Sequence, residues 1–141
     1  MYIGEYNHTI DTKGRLIVPV KFREQLGDKF VVTKGLDGCL SLYDMNAWNI
    51  LEEKLSSLPM TNPSARKLSR FMLAGASECE LDKMGRILIP QVLRNAASLE
   101  KDVVLVGVGT KIEIWDKSKW IEANSYDDMS EIAESLEGFG I

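Results

Sequence analysis

Hydrophobic and polar residues follow the same order of patterns in both halves of the chain. Consecutive β-prone residues at 16–18 and 87–89 predict short buried strands. Apolar residues at helical spacing follow each run, as Phe22 and Leu26 do in the first half, and predict a short helix. Each half is therefore predicted to run strand, strand, helix, strand, strand. The remaining strands are predicted at 3–11, 30–33, 40–43, 78–82, 103–106 and 112–116.

Two helices are predicted to connect the halves. The first has an amphipathic apolar face that ends at Pro59, and we expect Asn46 to cap it. The second covers 63–74, because Asn62 and Pro63 suit the cap and the first helical position. Beyond residue 120 the chain is weakly amphipathic and then rich in glycine, so we expect a helix that frays into a disordered end.

A nine-residue segment occurs twice, as Asp11–Pro19 and, 71 residues later, as Asp82–Pro90. An aspartate, a glycine three residues on, an arginine beside it, three β-prone apolar residues and a proline recur in register. Such an internal repeat predicts two tandem units. Each unit is of marginal length for a core of its own, so we expect the two copies to complete one another.

The start of each repeated segment is typical of a tight turn that presents an arginine. Aspartate accepts backbone N–H groups within such a turn, and glycine adopts the positive φ that closes it. These turn residues are Asp11, Gly14, Asp82 and Gly85. Arg15 and Arg86 leave the turns with room to reach outward. Two interpretations stay open: each arginine pairs with its own aspartate and stiffens the turn, or it binds a ligand.

The net charge of −4 at pH 7 conceals an uneven distribution of charge. Residues 121–141 contain six acidic residues and no lysine or arginine, so the rest of the chain is slightly basic. Residues 61–99 carry six basic residues against three acidic ones, which makes a locally positive face available. The net charge therefore does not exclude binding to nucleic acid.

Composition limits the class of protein. With 141 residues and 45% hydrophobic content, the chain fits one compact domain or two small ones. Cys39, Cys79 and His8 show no metal-ligand spacing and no catalytic set accompanies them, so we expect no metal, cofactor, small-molecule substrate or enzymatic activity. The first residues lack the features of a signal peptide and no apolar run approaches a membrane span. We expect a soluble protein of the reducing cytoplasm with no membrane partner.

With the duplicated motif Asp-x-x-Gly-Arg, three apolar residues and Pro, the sequence resembles the MraZ family, bacterial regulators built from two AbrB-like swapped-hairpin units. The resemblance runs from about residue 1 to residue 122 and includes Gly4-Glu5-Tyr6, Asn62-Pro63, 74–79 and 112–115. The resemblance gives no support for the acidic end beyond residue 122.

The resemblance implies a mainly β fold with short helices, of the α+β class. Two tandem AbrB-like swapped-hairpin β-barrel units would be joined by a helix pair. We accordingly expect a first unit at 1–48, a helical connector at 49–76, a second unit at 77–120 and an acidic C-terminal segment at 121–141.

The resemblance also implies sequence-specific binding of double-stranded DNA by a ring-shaped homo-oligomer. The family's DNA-recognising arginine corresponds to Arg15 and Arg86, with the turn aspartates holding the loops. On position alone we expect Lys13 and Lys83 to contact phosphates, although the lysine is third in one loop and second in the other. The implied function is transcriptional regulation of the division and cell-wall gene cluster through repeated short boxes at its own promoter. Such a regulator would be cytoplasmic and associated with the nucleoid.

One alternative stays open against DNA binding. The acidic net charge and the lack of a long basic stripe are also compatible with a structural or protein-interaction ring that binds no DNA. Salt-dependent binding to the DNA upstream of the protein's own gene would separate the two hypotheses.

Overall fold

The computed structural model describes every residue from Met1 to Ile141. Its fold is mixed α+β, with antiparallel sheets and six helices. The first half runs strand, strand, helix, strand, strand, which is the order that the sequence predicts. These elements are β1 (Tyr2–Thr9), β2 (Arg15–Ile17), α1 (Val20–Leu26), β3 (Phe30–Lys34) and β4 (Leu40–Asp44).

Two helices lead to the second half. Helix α2 spans Met45–Ser56 and helix α3 spans Pro63–Ser69, where the Asn62 side chain accepts the N–H groups of the first turn. The second helix was expected to continue to 74, but it widens into one π-type turn at Arg70–Ala74. The second half then repeats the order of the first. Its elements are β5 (Ser77–Cys79), β6 (Arg86–Leu88), α4 (Gln91–Ala96), β7 (Asp102–Gly109), β8 (Ile112–Asp116), α5 (Lys117–Ala123) and α6 (Met129–Ser135).

Helix α2 is capped by a different residue from the one expected. Asp44 Oδ1 accepts the Ala47 N–H at 2.8 Å, so the prediction that Asn46 caps the helix is wrong. Asp44 ends a strand, where the extended backbone suits a cap, whereas Asn46 already lies inside the helix. Asp116 caps α5 in the same way by accepting the Lys119 N–H. The two halves therefore share the strand-to-helix junction as well as the repeated turn.

The six-stranded antiparallel sheet interleaves the two halves. Its order is β1-β7-β8-β4-β3-β5, so strands of the first half alternate with strands of the second at three of its junctions. Exchanging each strand for its counterpart in the other half returns the same order reversed, which is the signature of a pseudo-twofold axis. The axis passes between Ser41 and Glu113, the central pair of β4 and β8. It also passes between Leu16 and Ile87, the central pair of a separate ribbon formed by β2 and β6.

The sheet is open, and the closed β-barrel that the family resemblance implies is not detected. The two end strands, β1 and β5, do not pair with each other. Strand β5 has only three residues, so it offers little edge for closure, whereas β1 has eight. A single bridge between Ile10 and Leu16 connects the end of β1 to the separate ribbon.

One hydrophobic core holds the ribbon against the sheet. Leu16 and Ile87 are fully buried in a cluster of 20 residues drawn from both halves. Phe22 and Leu93, from the short helices that follow the repeated segments, belong to the same cluster. Truncating a leucine in such a position typically costs about 2–5 kcal/mol. The inner face of the ribbon is therefore fixed, and its outer face is presented in a defined orientation. None of the helices combines the length and apolar character that crossing a membrane requires.

Candidate nucleic-acid interface

Each repeated segment begins with a closed turn that leads into a strand of the ribbon. In the first turn the Gly14 N–H donates to the Asp11 carbonyl at 3.0 Å, and the Asp11 N–H donates to the Arg15 carbonyl at 3.0 Å. Gly14 has a φ of +82°, in the region that favours glycine. The turn from Asp82 to Arg86 repeats both bonds at 3.0 and 2.9 Å. The duplicated sequence is thus a duplicated backbone conformation.

The turn aspartates organise the loops through both carboxylate oxygens. Asp11 Oδ1 accepts the backbone N–H groups of Lys13 and Arg15, each at 2.9 Å, and Oδ2 accepts Arg15 Nε–H at 2.7 Å. Asp82 makes the corresponding contacts in the second turn, including Arg86 Nε–H at 2.8 Å. The backbone N–H of each arginine is the main cause that holds the pKa of these carboxyl groups below the usual value, and the guanidinium adds to it. Both aspartates are therefore charged at neutral pH.

The ion pair within each turn is compatible with ligand binding by the arginine. A guanidinium carries five N–H donors, and the aspartate occupies the one on Nε. The Arg15 and Arg86 side chains are 34% and 21% exposed, and Arg86 Nη1 also lies 3.9 Å from Asp11 Oδ2. This last contact brings the two turns together. Pairing of each arginine with its own aspartate, the first of the two interpretations, is therefore present; it engages Nε and leaves the other guanidinium donors without a hydrogen bond to that aspartate.

The outer face of the ribbon combines the two arginines with two exposed apolar side chains. Successive residues of a strand point to opposite faces, so burial of Leu16 directs Arg15 and Ile17 outward. In β6 the same alternation directs Arg86 and Leu88 outward, and Ile17 and Leu88 are 40% and 61% exposed. The prediction that 16–18 and 87–89 are wholly buried strands is therefore wrong at their middle residues. Three consecutive apolar residues hide the alternation that would have revealed them.

Each turn is held by the opposite half of the chain. The Val18 N–H donates to the Gly85 carbonyl at 3.0 Å, and the Ile89 N–H donates to the Gly14 carbonyl at 2.9 Å. These bonds continue the ribbon at both ends beyond its three paired residues. The geometry of one loop therefore depends on the strand that belongs to the other.

Two further arginines, which the sequence did not single out as site residues, cover the turn glycines. Arg23 Nε–H donates to the Val18 carbonyl at 2.7 Å, and Arg94 Nε–H donates to the Ile89 carbonyl at 2.9 Å. The Arg94 guanidinium lies so close to Gly14 that a Cβ there would be 2.7 Å from its Cζ atom, and Arg23 covers Gly85 in the same way. The available signal was that the two arginines occupy equivalent positions of the repeat.

The two lysines beside the turns are exposed but not equivalent. Lys13 and Met84 are the matching residues, because each donates its backbone N–H to Oδ1 of its own turn aspartate at 2.9 Å. Lys83 corresponds to Thr12 instead. Neither lysine forms an ion pair within the chain. The two loops consequently differ in where they place positive charge.

No metal centre or reactive thiol accompanies the turns. No group of three or more histidine, cysteine, aspartate or glutamate side chains lies close enough to hold a metal ion. Cys39 and Cys79 are buried free thiols, and burial raises their pKa to about 12 and about 11. Both thiols are therefore protonated at neutral pH.

Comparison with known proteins gives one consistent result. A family model described as "MraZ protein, putative antitoxin-like" matches residues 1–71 and again residues 72–139. The chain is 56% identical over 142 residues to the transcriptional regulator MraZ of Clostridium acetobutylicum, and the match covers all of both chains. It is 57% identical to the proteins of the same description from Caldanaerobacter subterraneus subsp. tengcongensis and Lachnoclostridium phytofermentans, with all of this chain covered in both matches. These matches cover the acidic end as well as the repeated turns, so the expectation that the resemblance stops near residue 122 is wrong.

Proposed function

Because this chain belongs to the MraZ family, we propose that it is a transcriptional regulator whose paired turns bind double-stranded DNA. Membership of a family of regulators also confirms the prediction that the chain is not an enzyme. The binding surface is the outer face of the β2–β6 ribbon with the turns at Asp11–Arg15 and Asp82–Arg86.

One observation carries the proposal: the pseudo-twofold ribbon presents two equivalent arginines, each fixed through Nε, on one outward face. The major groove of B-DNA admits a two-stranded β-ribbon, and arginine binds O6 and N7 of guanine with two N–H donors. Fixing the side chain before DNA arrives reduces the conformational entropy that binding would otherwise remove. The outward positions of Ile17 and Leu88 support apolar contact with thymine methyl groups on the same surface.

The remaining residues of the turns have supporting roles in this proposal. Lys13 and Lys83 contact phosphates, which adds affinity without sequence recognition. Their exposure and lack of ion pairs support this role. The turn aspartates and glycines hold the loops in shape.

The proposal includes self-association into a ring that binds repeated boxes at the protein's own promoter, in the division and cell-wall gene cluster. One protomer offers only a small basic surface, whereas several linked protomers raise apparent affinity by about 10²–10⁴-fold when the spacing fits. We retain the division into units 1–48 and 77–120, a connector at 49–76 and an acidic segment at 121–141. Interleaved strand order supports the description of the two units as swapped hairpins. The expected location is the cytoplasm, at the nucleoid.

The experiment is a binding titration by fluorescence anisotropy with DNA from upstream of the protein's own gene, at two salt concentrations. We expect Arg15→Ala to cost roughly 1–3 kcal/mol of binding free energy and to relax specificity. Lys13→Ala should weaken binding to all sequences alike and reduce the salt slope. Lys54→Ala, which removes an exposed charge from α2 far along the chain from either turn, is the control and should change neither.

Two outcomes contradict the proposal in different places. A folded double variant, Arg15→Ala with Arg86→Ala, that binds DNA as tightly as the native chain would leave the turns structural and favour a protein-interaction ring. For the repeated boxes, inserting half a helical turn of DNA between two boxes should reduce binding far more than inserting a full turn of about 10–10.5 base pairs. Equal binding to a single box and to the array would refute linked engagement.

A further inference from the structure

The pair of helices between the halves forms an open groove with an apolar floor and a basic rim. We call it the helix groove; it lies between α2 and α3 and has a volume of about 350 Å³. Leu55, Leu58 and Leu73 line it, together with Met60, whose side chain is 85% exposed. No acidic residue lines the groove.

Basic side chains at the rim of the groove are without acidic partners in the chain. Arg66 and Arg70 line the groove one helical turn apart, and Lys67 is exposed beside them. None of the three forms an ion pair, and Arg66 Nη1 instead donates to the Met60 carbonyl at 3.0 Å. The groove therefore suits an occupant that is apolar on one side and acidic around it.

The C-terminal segment has these two properties. We call residues 127–141 the acidic tail. Helix α6 and the residue that caps its C-terminus present Met129, Ile132 and Leu136 on one face, since they are three and four residues apart. The acidic residues occupy the flanks and the opposite face. They are Asp127, Asp128, Glu131, Glu134 and Glu137.

The acidic tail has no partner within its own chain. Every residue of α6 is exposed, including Met129 at 43% and Ile132 at 39%. In the first half, helix α2 packs against α3. Its counterpart α5 packs against β7 and β8 and has no comparable helix on it. The groove and the tail are thus two unpartnered surfaces that complement each other and do not meet inside one protomer.

We propose that the acidic tail of one copy of this chain docks in the helix groove of a second copy. An amphipathic helix in an apolar groove, anchored by residues at i, i+3 and i+7, is a recurring mode of recognition. The contact joins different surfaces on the two copies, so it repeats head to tail and closes into a ring when the rotation permits. It deepens the self-association part of the proposed function and rests on it.

The first experiment is sedimentation velocity over a concentration series with full-length variants. Ile132→Asp places a charge on the apolar face of the tail, and Ser130→Asp adds the same charge to the same helix off that face. In the groove, Met60→Asp is matched by Leu36→Asp, since Leu36 is 76% exposed in the turn between β3 and β4. We expect roughly 10- to 100-fold weaker association for Ile132→Asp and Met60→Asp, and unchanged association for both controls.

Charge reversal supplies a test that a folding defect could not imitate. Arg66→Glu with Arg70→Glu should weaken association, and Asp128→Lys with Glu137→Lys should weaken it when made alone. Combining the four substitutions should restore association, because both surfaces then carry reversed but complementary charge. Circular dichroism checks that each variant is folded.

The outcomes separate this inference from the proposed DNA function. Equal association of Ile132→Asp and Ser130→Asp overturns the inference, as does failure of the reversed charges to restore association. If the tail instead docks in the groove of its own chain, the inference is also overturned, because the association measured by sedimentation velocity would then not depend on these substitutions. If the docking inference fails while DNA binding still depends on Arg15 and Arg86, the turns remain the DNA site. If the Arg15 and Arg86 variants do not affect DNA binding, the docking inference is unaffected.

Discussion

Substitution of Gly14 by alanine tests the observation that each turn is covered by an arginine from the other half of the chain. Gly14 has a φ of +82°, and a Cβ at this position would lie 2.7 Å from Cζ of Arg94. Because the guanidinium is the flexible end of its side chain, it moves rather than the backbone. That movement removes the bond from Arg94 Nε–H to the Ile89 carbonyl, which is 2.9 Å long. The substitution therefore disturbs both halves at once.

The expected magnitude has two parts. An alanine held at positive φ costs about 1–2 kcal/mol. A lost hydrogen bond from a charged donor adds about 1.5–3 kcal/mol, and the half-buried position of Arg94 favours the lower end because water replaces part of the bond. We expect Gly14→Ala to lower the free energy of unfolding by about 2.5–3.5 kcal/mol.

Gly38→Ala is the matched control. Gly38 has the same φ of +82°, but nothing lies within 4 Å of a Cβ built there. Its substitution isolates the backbone cost, about 1–2 kcal/mol. In an Arg94→Ala background, Gly14→Ala should cost no more than the control, because the obstructing guanidinium is gone.

The assay is urea unfolding followed by tryptophan fluorescence, with linear extrapolation to water. All variants are compared at one protein concentration, because self-association makes apparent stability depend on concentration. Equal costs for Gly14→Ala and Gly38→Ala would refute the reasoning. So would a cost of Gly14→Ala that is the same with and without Arg94.

Three further outcomes follow from burial and charge. The pKa values of Asp11 and Asp82 are lowered in the folded chain, so their contribution to stability is complete above the ordinary aspartate pKa of about 3.9 and is lost as the pH falls through the lower native value. Carboxyl ¹³C titrations should place both midpoints below the ordinary value. Burial raises the pKa of Cys39 and Cys79, so a thiol reagent at neutral pH should modify them only after unfolding, and rapid reaction of the native protein would contradict this. Ser41 Oγ is buried without a hydrogen-bond partner, so Ser41→Ala should leave the free energy of unfolding unchanged or raise it by up to about 1 kcal/mol. A clear decrease in the same urea assay would contradict the absence of a hydrogen bond from Ser41.

Most of the local structure could be predicted from the sequence, because the same pattern occurs in both halves. The turn at Asp11–Arg15 follows from an aspartate and a glycine at fixed spacing, and the order of strands and helices follows from periodicity. The cap of α2 was misassigned because Asp44 and Asn46 are both suitable residues within three positions. Local propensity does not decide between neighbours of this kind; the end of the preceding strand does.

The sequence pattern does not predict which distant segment each turn, strand or side chain contacts. The exposure of Ile17 and Leu88 depends on which residue of an all-apolar run faces the core, and the run itself is uniform. The position of Arg94 over Gly14 depends on pairing between segments about 80 residues apart. Contacts between halves arise from the interleaved sheet, and no periodicity within one half encodes them.

The pairing of β1 with β7 has a consequence for synthesis of the chain. Tyr2 pairs with Gly109, so the first strand has no partner until roughly a hundred more residues have been made. At typical rates of about 5–20 residues per second, its edge stays unpaired for roughly 5–20 s. Such distant pairing also slows the search for the native state once the chain is released. Nascent copies on one message therefore expose unpaired first strands side by side, and chaperone protection is most needed before residue 109 emerges.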